Sequence, residues 1–469
     1  MPARTPRPRT RTPAPGAAAR PTRAERWAAG KALREKFPRT SHGKWAPGTR
    51  RVDPVAQVIA SSKGRIPELI PIRYGRMVVS PFTLYRGTAN IMAADLAGTP
   101  ATGIPVQACG DCHLMNFGGF ATPERQIIFD INDFDETMPG PWEWDVKRLA
   151  ASMVLAARSN GFSAADQRDA ALTCVASYRE RMSAFADMTP MEIWYSRIDL
   201  ESVFQSFTDK ESIARFRKRL AKATANSLIQ SDVPMLIEDQ GGRPAIKDNP
   251  PLIYHHQLMN LKSNRAPIQA ALDAYRRTLP DDRRVLLDHY RITDFALKVV
   301  GVGSVGTVCA VFLLVSPDKD PLFLQVKEAR RSVLAPFVGK GAYANDGRRI
   351  VEGQRLMQAA SDLFLGWTVG RDGRHFYIRQ LRDVKLKPLV EIFNRTTLDE
   401  YGALCGWTLA RAHARSGDAA MIAGYLGSKD VFDQAVAKFA MAYADQAERD
   451  HAEFTAAVRK GRIEVYTED

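Results

Sequence analysis

From near Asp145 the segment WDVKRLAASMVLAARSNG repeats apolar residues every three or four positions, the spacing of a helix with a buried face. SAADQRDAALTCVASYRERMSAFADM continues the pattern after Ser163, whose hydroxyl suits an N-cap. KESIARFRKRLAKATANSLIQ and APIQAALDAYRRTL extend the helical run, whereas residues 75–135 upstream read as short strands and loops rich in Gly and Pro. The period changes near residue 291. DFALKVV, TVCAVFLLV and PLFLQVKEAR are β-branched runs separated by turn residues, as expected of antiparallel strands. RRIVEGQRLMQAAS then reads as a helix, WTVG and HFYIRQL as strands, and LDEYGALCGWTLARAHAR as a helix. A last helix over roughly 429–458 puts Phe432, Val436, Phe439 and Tyr443 on one face. There is no internal repeat. The pattern predicts an α+β protein with a helical lobe over 51–290, a small β-rich lobe over 291–385 and a helical return over 386–469.

Composition refines this picture at one place. At 45% apolar and 25% charged residues the 469-residue chain has the make-up of an ordinary soluble globular protein. Its net charge of +14 suggests nucleic acid until it is mapped: residues 1–51 hold 14 Lys/Arg against Glu25 and Glu35, a net of +12. The charge belongs to the start of the chain, and residues 1–50 read as a disordered basic Pro/Arg-rich tail. Contact with nucleic acid through that tail is a secondary expectation; a solubilising role is favoured. No secretory signal and no membrane partner are expected, and five cysteines with a single C-x-x-C fit a reduced, cytoplasmic protein.

Two stretches carry candidate chemistry. In VVGVGSVGTVCAVFLLV, Gly301, Gly303 and Gly306 have G-x-G-x-x-G spacing. A dinucleotide fold needs a helix after the glycines, but TVCAVFLLV is strand-like. The run is short and glycine-rich for a membrane span. Strand–glycines–strand suits a flap whose amides approach phosphates, with a plain buried hairpin as the bland alternative. Lys327 ends a strand beyond the flap, where its ammonium could reach phosphates, and Glu352 on the following helix is a candidate ion-pair partner for it. Read alone, each is better taken as a surface residue.

Upstream, VQACGDCHLMNFGGF precedes RQIIFDINDFDETMPGPWEWDVKRLAAS. Asp130, Asp133, Asp135 and Glu136 crowd seven positions after an apolar strand, where repulsion calls for a cation. Carboxylates with Asn116 nearby suit Mg²⁺, the shell completed by phosphate and water. His113 has no second His at metal-site spacing and is expected to be a hydrogen-bonded structural residue of this loop.

GDCHLMNFG, NDFDET, WEWDVKRLAAS and VGVGSVGT resemble the bacterial family DUF2252 over most of residues 50–460. That family in turn resembles the protein-kinase-like superfamily, in the style of aminoglycoside and choline kinases. The resemblance implies a two-lobed kinase-like fold, circularly permuted, with the catalytic loop ahead of the glycine flap. It implies ATP and Mg²⁺ as cofactors and phosphoryl transfer to a small-molecule or protein hydroxyl. Asp111 takes the place of the catalytic base, and Asn116 and Asp133 the places of the metal ligands, with Asp130 and Asp135 as rivals. Asp145 takes the place of the helix Asp that braces the loop. Gly301, Gly303, Gly306, Lys327 and Glu352 would hold the nucleotide, with residues 376–384 as the hinge. Arg86 in LYRG is a further candidate facing the site. AMP transfer on the same fold and a nucleotide-binding pseudokinase are the alternatives.

Overall fold

The computed structural model describes residues 21–227, 237–239, 244–256, 261–381 and 384–467. Helix α1, Arg23–Lys36, corrects the expected tail. Thr22 begins it with a capping box: its hydroxyl accepts the Glu25 amide, and the Glu25 carboxylate accepts the Thr22 amide. Residues 1–20, with the remaining tail arginines, lie outside the described residues.

Residues 75–96, read from sequence as strands and loops, belong to three short helices, Ile70–Val78, Pro81–Gly87 and Ala89–Leu96. Ser80 caps the second of them, and prolines at both helix starts supply a preset φ where no amide partner is needed. Strands β1 (Pro105–Ala108), β2 (Phe117–Ala121), β3 (Ile127–Ile131) and β4 (Met138–Pro141) follow. Helices α2 (Trp142–Ser159) and α3 (Ala164–Asp187) come next, the latter started by Ser163 as expected. The small lobe contains β5 (Ile253–Tyr254), β6 (Arg291–Lys298), β7 (Cys309–Val315) and β8 (Pro321–Ala329). Helix α4 (Asp346–Met357), β9 (Gly366–Val369) and β10 (His375–Gln380) complete it. The chain returns through β11 (Lys385–Leu386) to α5 (Arg395–Ser416), α6 (Ala419–Leu426) and α7 (Val431–Arg459).

The protein is thus mixed α+β with antiparallel sheets. The small-lobe sheet runs β9-β10-β8-β7-β6-β5. A second sheet, β11-β2-β3, belongs to the large lobe, so Gln380 and Lys385 lie in different sheets. Part of the expected hinge, residues 382–383, lies outside the described residues.

Helix α2 is buried from Trp142 to Ala157, because α3, α5 and α7 surround it. Trp142 stacks on Tyr178 at 5.8 Å and meets Phe432 at 5.2 Å. The predicted face of α7, Phe432, Val436, Phe439 and Tyr443, is buried in the same core. Against it α1 packs on α6 with unusual closeness: a Cβ on Gly30 would lie 2.0 Å from the Met421 carbonyl oxygen. In the small lobe Phe295, Phe312, Leu324 and Ile378 form the core of one sheet face. Ile246 and Ile253 pack over Val311, Leu313 and Phe323 on the other. All five cysteines are buried and free. Among the described residues no helix is long and apolar enough to cross a membrane.

Candidate active site

Asp145 lies in the first turn of α2, and its carboxylate accepts the amides of Cys109 (2.6 Å) and Gly110 (3.0 Å). His413 of α5 sits 3.2 Å from the same carboxylate. Asp145 therefore fixes the loop that carries Asp111. Gly110 needs to be glycine: its φ is +81°, and a Cβ there would lie 2.5 Å from the Glu136 carbonyl oxygen. Asn116 Nδ2 donates to the Asp111 carbonyl at 2.7 Å, and the Asn132 amide donates to the Asn116 carbonyl at 2.8 Å. Cys109 Sγ adds a contact to the Asp133 carbonyl at 3.4 Å. The loop of residues 109–116 and the acidic loop after β3 are thereby laced into one unit.

Arg148, one turn along α2 from Asp145, donates from Nε (2.8 Å) and Nη2 (2.5 Å) to Asp111 Oδ1. Among the described residues Asp111 Oδ2 has no hydrogen-bond donor, only a distant neighbour, His113 Nε2 at 3.9 Å. Burial raises the proton affinity of Asp111 and Arg148 opposes it, with a net rise. His113 is buried as expected but is not a hydrogen-bonded brace, since its Nδ1 has no partner. Burial, with Arg86 and Arg148 nearby, drives its pKa well below the ordinary value, so it is neutral at pH 7.

The acidic cluster divides. Asp130 is not a cation ligand: it is fully buried and accepts from Arg411 Nη2 at 2.6 and 2.7 Å, with Ile131 and Ala359 amides on its oxygens. Asp135 takes the place opposite the small lobe. Its Oδ2 meets Lys327 Nζ at 2.7 Å and the Ser304 hydroxyl at 3.2 Å, and its Oδ1 accepts from Tyr377 at 2.6 Å. Burial works to raise the Asp135 pKa, but the Lys327 charge and these bonds hold it below the usual carboxylate value. Asp133, by contrast, accepts only the Asp135 amide at 3.1 Å, and burial together with the Asp135 charge raises its pKa. Burial opposes the charge on Lys327, yet Asp133 and Asp135 outweigh it and raise its pKa well above the ordinary value.

Glu352 does not hold Lys327. It faces Arg348 and Arg355 of its own helix at 3.7 and 3.9 Å. Arg349 of α4 instead reaches the acidic loop, donating to the carbonyls of Thr137 (2.6 Å) and Asp135 (3.0 Å) as well as Arg330 (2.8 Å). Arg349 and Glu352 are three apart and share a helix face, so periodicity could have flagged the face but not chosen between them.

The glycine segment is a loop pinned by its carbonyls. Arg76 holds Gly301 O (2.6 Å), Arg65 holds Val305 O (2.6 Å), and the Ile66 amide holds Gly306 O (2.7 Å). Val302 and Val305 are buried against the short helices of the large lobe. Gly301 and Gly306 have positive φ. Among the described residues no amide from Gly301 to Gly306 donates to a backbone carbonyl. Arg86 lies beneath: a Cβ on Gly303 would sit 3.7 Å from the Arg86 carbonyl.

Among the described residues no three His, Cys, Asp or Glu side chains converge as a ready metal site. Besides Asp111 Oδ2, the Asp133 carboxylate and Asn116 Oδ1 are the oxygens of these loops with acceptor capacity to spare among the described residues. One carboxylate and one amide oxygen suit a Mg²⁺ ion that takes its other ligands from phosphate and water. Beside this cluster, Asn132, Arg379, Lys385, Gln354, Gln358 and Asp362 line a cavity of about 230 Å³. Neither the curated proteins nor the solved structures contain a match to this chain. The match that exists is to a protein family: the profile described as "Uncharacterized protein conserved in bacteria (DUF2252)" covers residues 65–457, and the chain belongs to that family.

Proposed function

We propose that the protein is an ATP- and Mg²⁺-dependent phosphotransferase of kinase-like, circularly permuted fold, acting on a hydroxyl of a small molecule or a protein. The observation that carries this reading is the 2.7 Å contact between Lys327 and Asp135, which joins segments 192 residues apart across one cleft. Further support comes from the small lobe's order, strand, glycine loop, strand, lysine strand, helix and two strands, as the resemblance implies. The glycine loop supports it too, because pinned carbonyls leave its amides available to phosphate oxygens. Lys327 would orient the phosphates, and Asp133 with Asn116 would hold Mg²⁺, which when bound supplies charge neutralisation.

In this reading the acceptor oxygen attacks the γ-phosphorus. The new O–P bond forms as the bond from phosphorus to the β–γ bridging oxygen breaks, ADP leaves, and the hydroxyl proton passes to Asp111 Oδ2. Arg148 orients Asp111 through Oδ1 and leaves Oδ2 for the proton. Catalysis of this type is positioning and electrostatics. The test is ATP consumption by the purified protein with Mg²⁺ and a metabolite library, using ATP labelled in the α or the γ position. Transfer of the γ label, abolished by Asp111→Asn with nucleotide binding retained, supports the proposal. Transfer of the α label moves the reaction to AMP transfer, and binding without either transfer makes the protein a nucleotide sensor.

A further inference from the structure

Among the described residues the Arg86 guanidinium has no hydrogen bond or ion pair. Its Nε is enclosed without a partner, and its guanidinium lies 5.7 Å from the Phe82 ring centre. A buried donor left unpaired costs stability, so its retention beside a cluster of functional groups calls for a ligand. Its location is fixed from two sides. The carbonyl of Tyr85, the residue before it, accepts Arg148 Nη2 at 2.9 Å, the same nitrogen that donates to Asp111 Oδ1. Its own carbonyl lies against Gly303 of the glycine loop. The backbone of residues 85–86 thus bridges the loop that would cover the phosphates and the carboxylate that would take the proton. His113 adds a second enclosed, unpartnered nitrogen beside Asp111. The carboxylates of Asp111 and Glu391 act on the Arg86 charge through space, and neither forms an ion pair with it.

We infer that Arg86 is the anion-binding residue for the terminal phosphoryl group, grasping the γ-phosphate oxygens as they move from ADP to the acceptor. This rests on the phosphotransferase reading and adds a role for a residue outside the glycine loop, the lysine and the acidic cluster. A planar guanidinium offers paired donors to phosphate oxygens. Arg148 is not free to grasp a phosphate with paired donors, because four of its five N–H groups are committed to Asp111, the Tyr85 carbonyl and Met92. Arg86 takes no part in bond exchange; it stabilises charge on the group transferred.

The experiment titrates Mg²⁺·ADP and the Mg²⁺ complex of the β,γ-imido ATP analogue into the full chain, its Arg86→Ala form and its Arg86→Lys form. The quantity read is the ratio of the two affinities within each preparation, so any loss of folded protein cancels. Arg86→Ala should weaken the triphosphate analogue by about tenfold or more and leave ADP within about twofold, with Arg86→Lys between. A ratio unchanged by Arg86→Ala overturns the inference and leaves the phosphotransferase reading standing. Equal weakening of both nucleotides also overturns it, since the residue then shapes the whole cleft. Absence of binding of either nucleotide to the unmodified chain overturns both.

Discussion

Two aspartate–cation pairs, five residues apart in one segment, show what separates a structural contact from a functional one. Asp130 meets Arg411 at 2.6 Å with both side chains 0% exposed. Asp135 meets Lys327 at 2.7 Å with side chains 26% and 4% exposed. Both join distant parts of the chain. Around Asp130, however, further donors saturate the carboxylate, and Arg411 also donates to the Met357 carbonyl. Around Asp135 the pair borders Asp133, a second carboxylate with one amide donor. Saturation of the carboxylate and exclusion of water make the first pair part of the fold, although Arg411 Nε and Nη1 are enclosed without partners among the described residues. An unneutralised neighbour at the edge of a cleft makes the second a place where charge can be received.

The sharpest break of this comparison is at the sealed pair. Asp130→Ala leaves Arg411 charged and enclosed, and should cost about 3–5 kcal/mol in chemical denaturation. Asp135→Asn, whose site reaches solvent and keeps Asp133 near Lys327, should cost less than half as much. Equal losses would erase the distinction. Next in size is Asp133→Asn. Because Asp133 carries its charge against burial and against Asp135, the substitution should leave thermal stability unchanged or raised near pH 7. Under the proposed function it should nonetheless reduce phosphoryl transfer by about 100-fold or more. A variant that turns over normally would remove Asp133 from the site. Smaller again is Asp145→Asn, which takes one acceptor from the Cys109 and Gly110 amides. It should cost about 1–3 kcal/mol and slow turnover without weakening the binding of metal-free ADP, because the loop it loosens carries Asp111 and Asn116 and not the glycine-loop and lysine contacts.

How much of this was legible in the sequence depended on range. The helices and strands of residues 142–187, 291–329, 395–416 and 431–459 follow the pattern of apolar positions: α3 and α7 bury one face, whereas α2 and β7 are buried all round. The helices of 70–96 were missed because their apolar residues are interrupted by Pro and Gly that serve as starts and close contacts, as where Gly75 approaches the Tyr466 carbonyl. Likewise α1 looked like tail because its arginines face partners almost 400 positions away, Asp418 and Gly424 among them. In the site, Asp111, Asp133, Asp145 and Lys327 were legible as motifs. Arg148, Arg349, Arg411 and Tyr377 were not, because nothing local tells an arginine or tyrosine that lies on a helix or strand which distant carbonyl or carboxylate it will meet. Glu352 and Asp130 were misassigned for the same reason.

The finest test uses the neighbour of Asp135. Glu136 accepts the Val333 amide at 2.7 Å, yet burial raises its pKa to about 7, while the adjacent Asp135 is held below its ordinary value by Lys327. A carboxyl whose folded pKa lies above its unfolded value binds more protons when native. Its contribution is therefore fully present below the unfolded value, near 4.5, and is lost as pH rises through about 7. Glu136→Gln fixes the neutral form and retains an oxygen for the Val333 amide. It should leave stability unchanged at pH 4 and raise it by about 3 kcal/mol at pH 8, read as the difference between two denaturation series in which every other group titrates alike. Parallel series would mean that Glu136 is ionised in the native protein at little cost. The acidic loop would then be uniformly solvated, and the contrast between carboxylates committed to the fold and those held ready for a ligand would narrow to Asp130 alone.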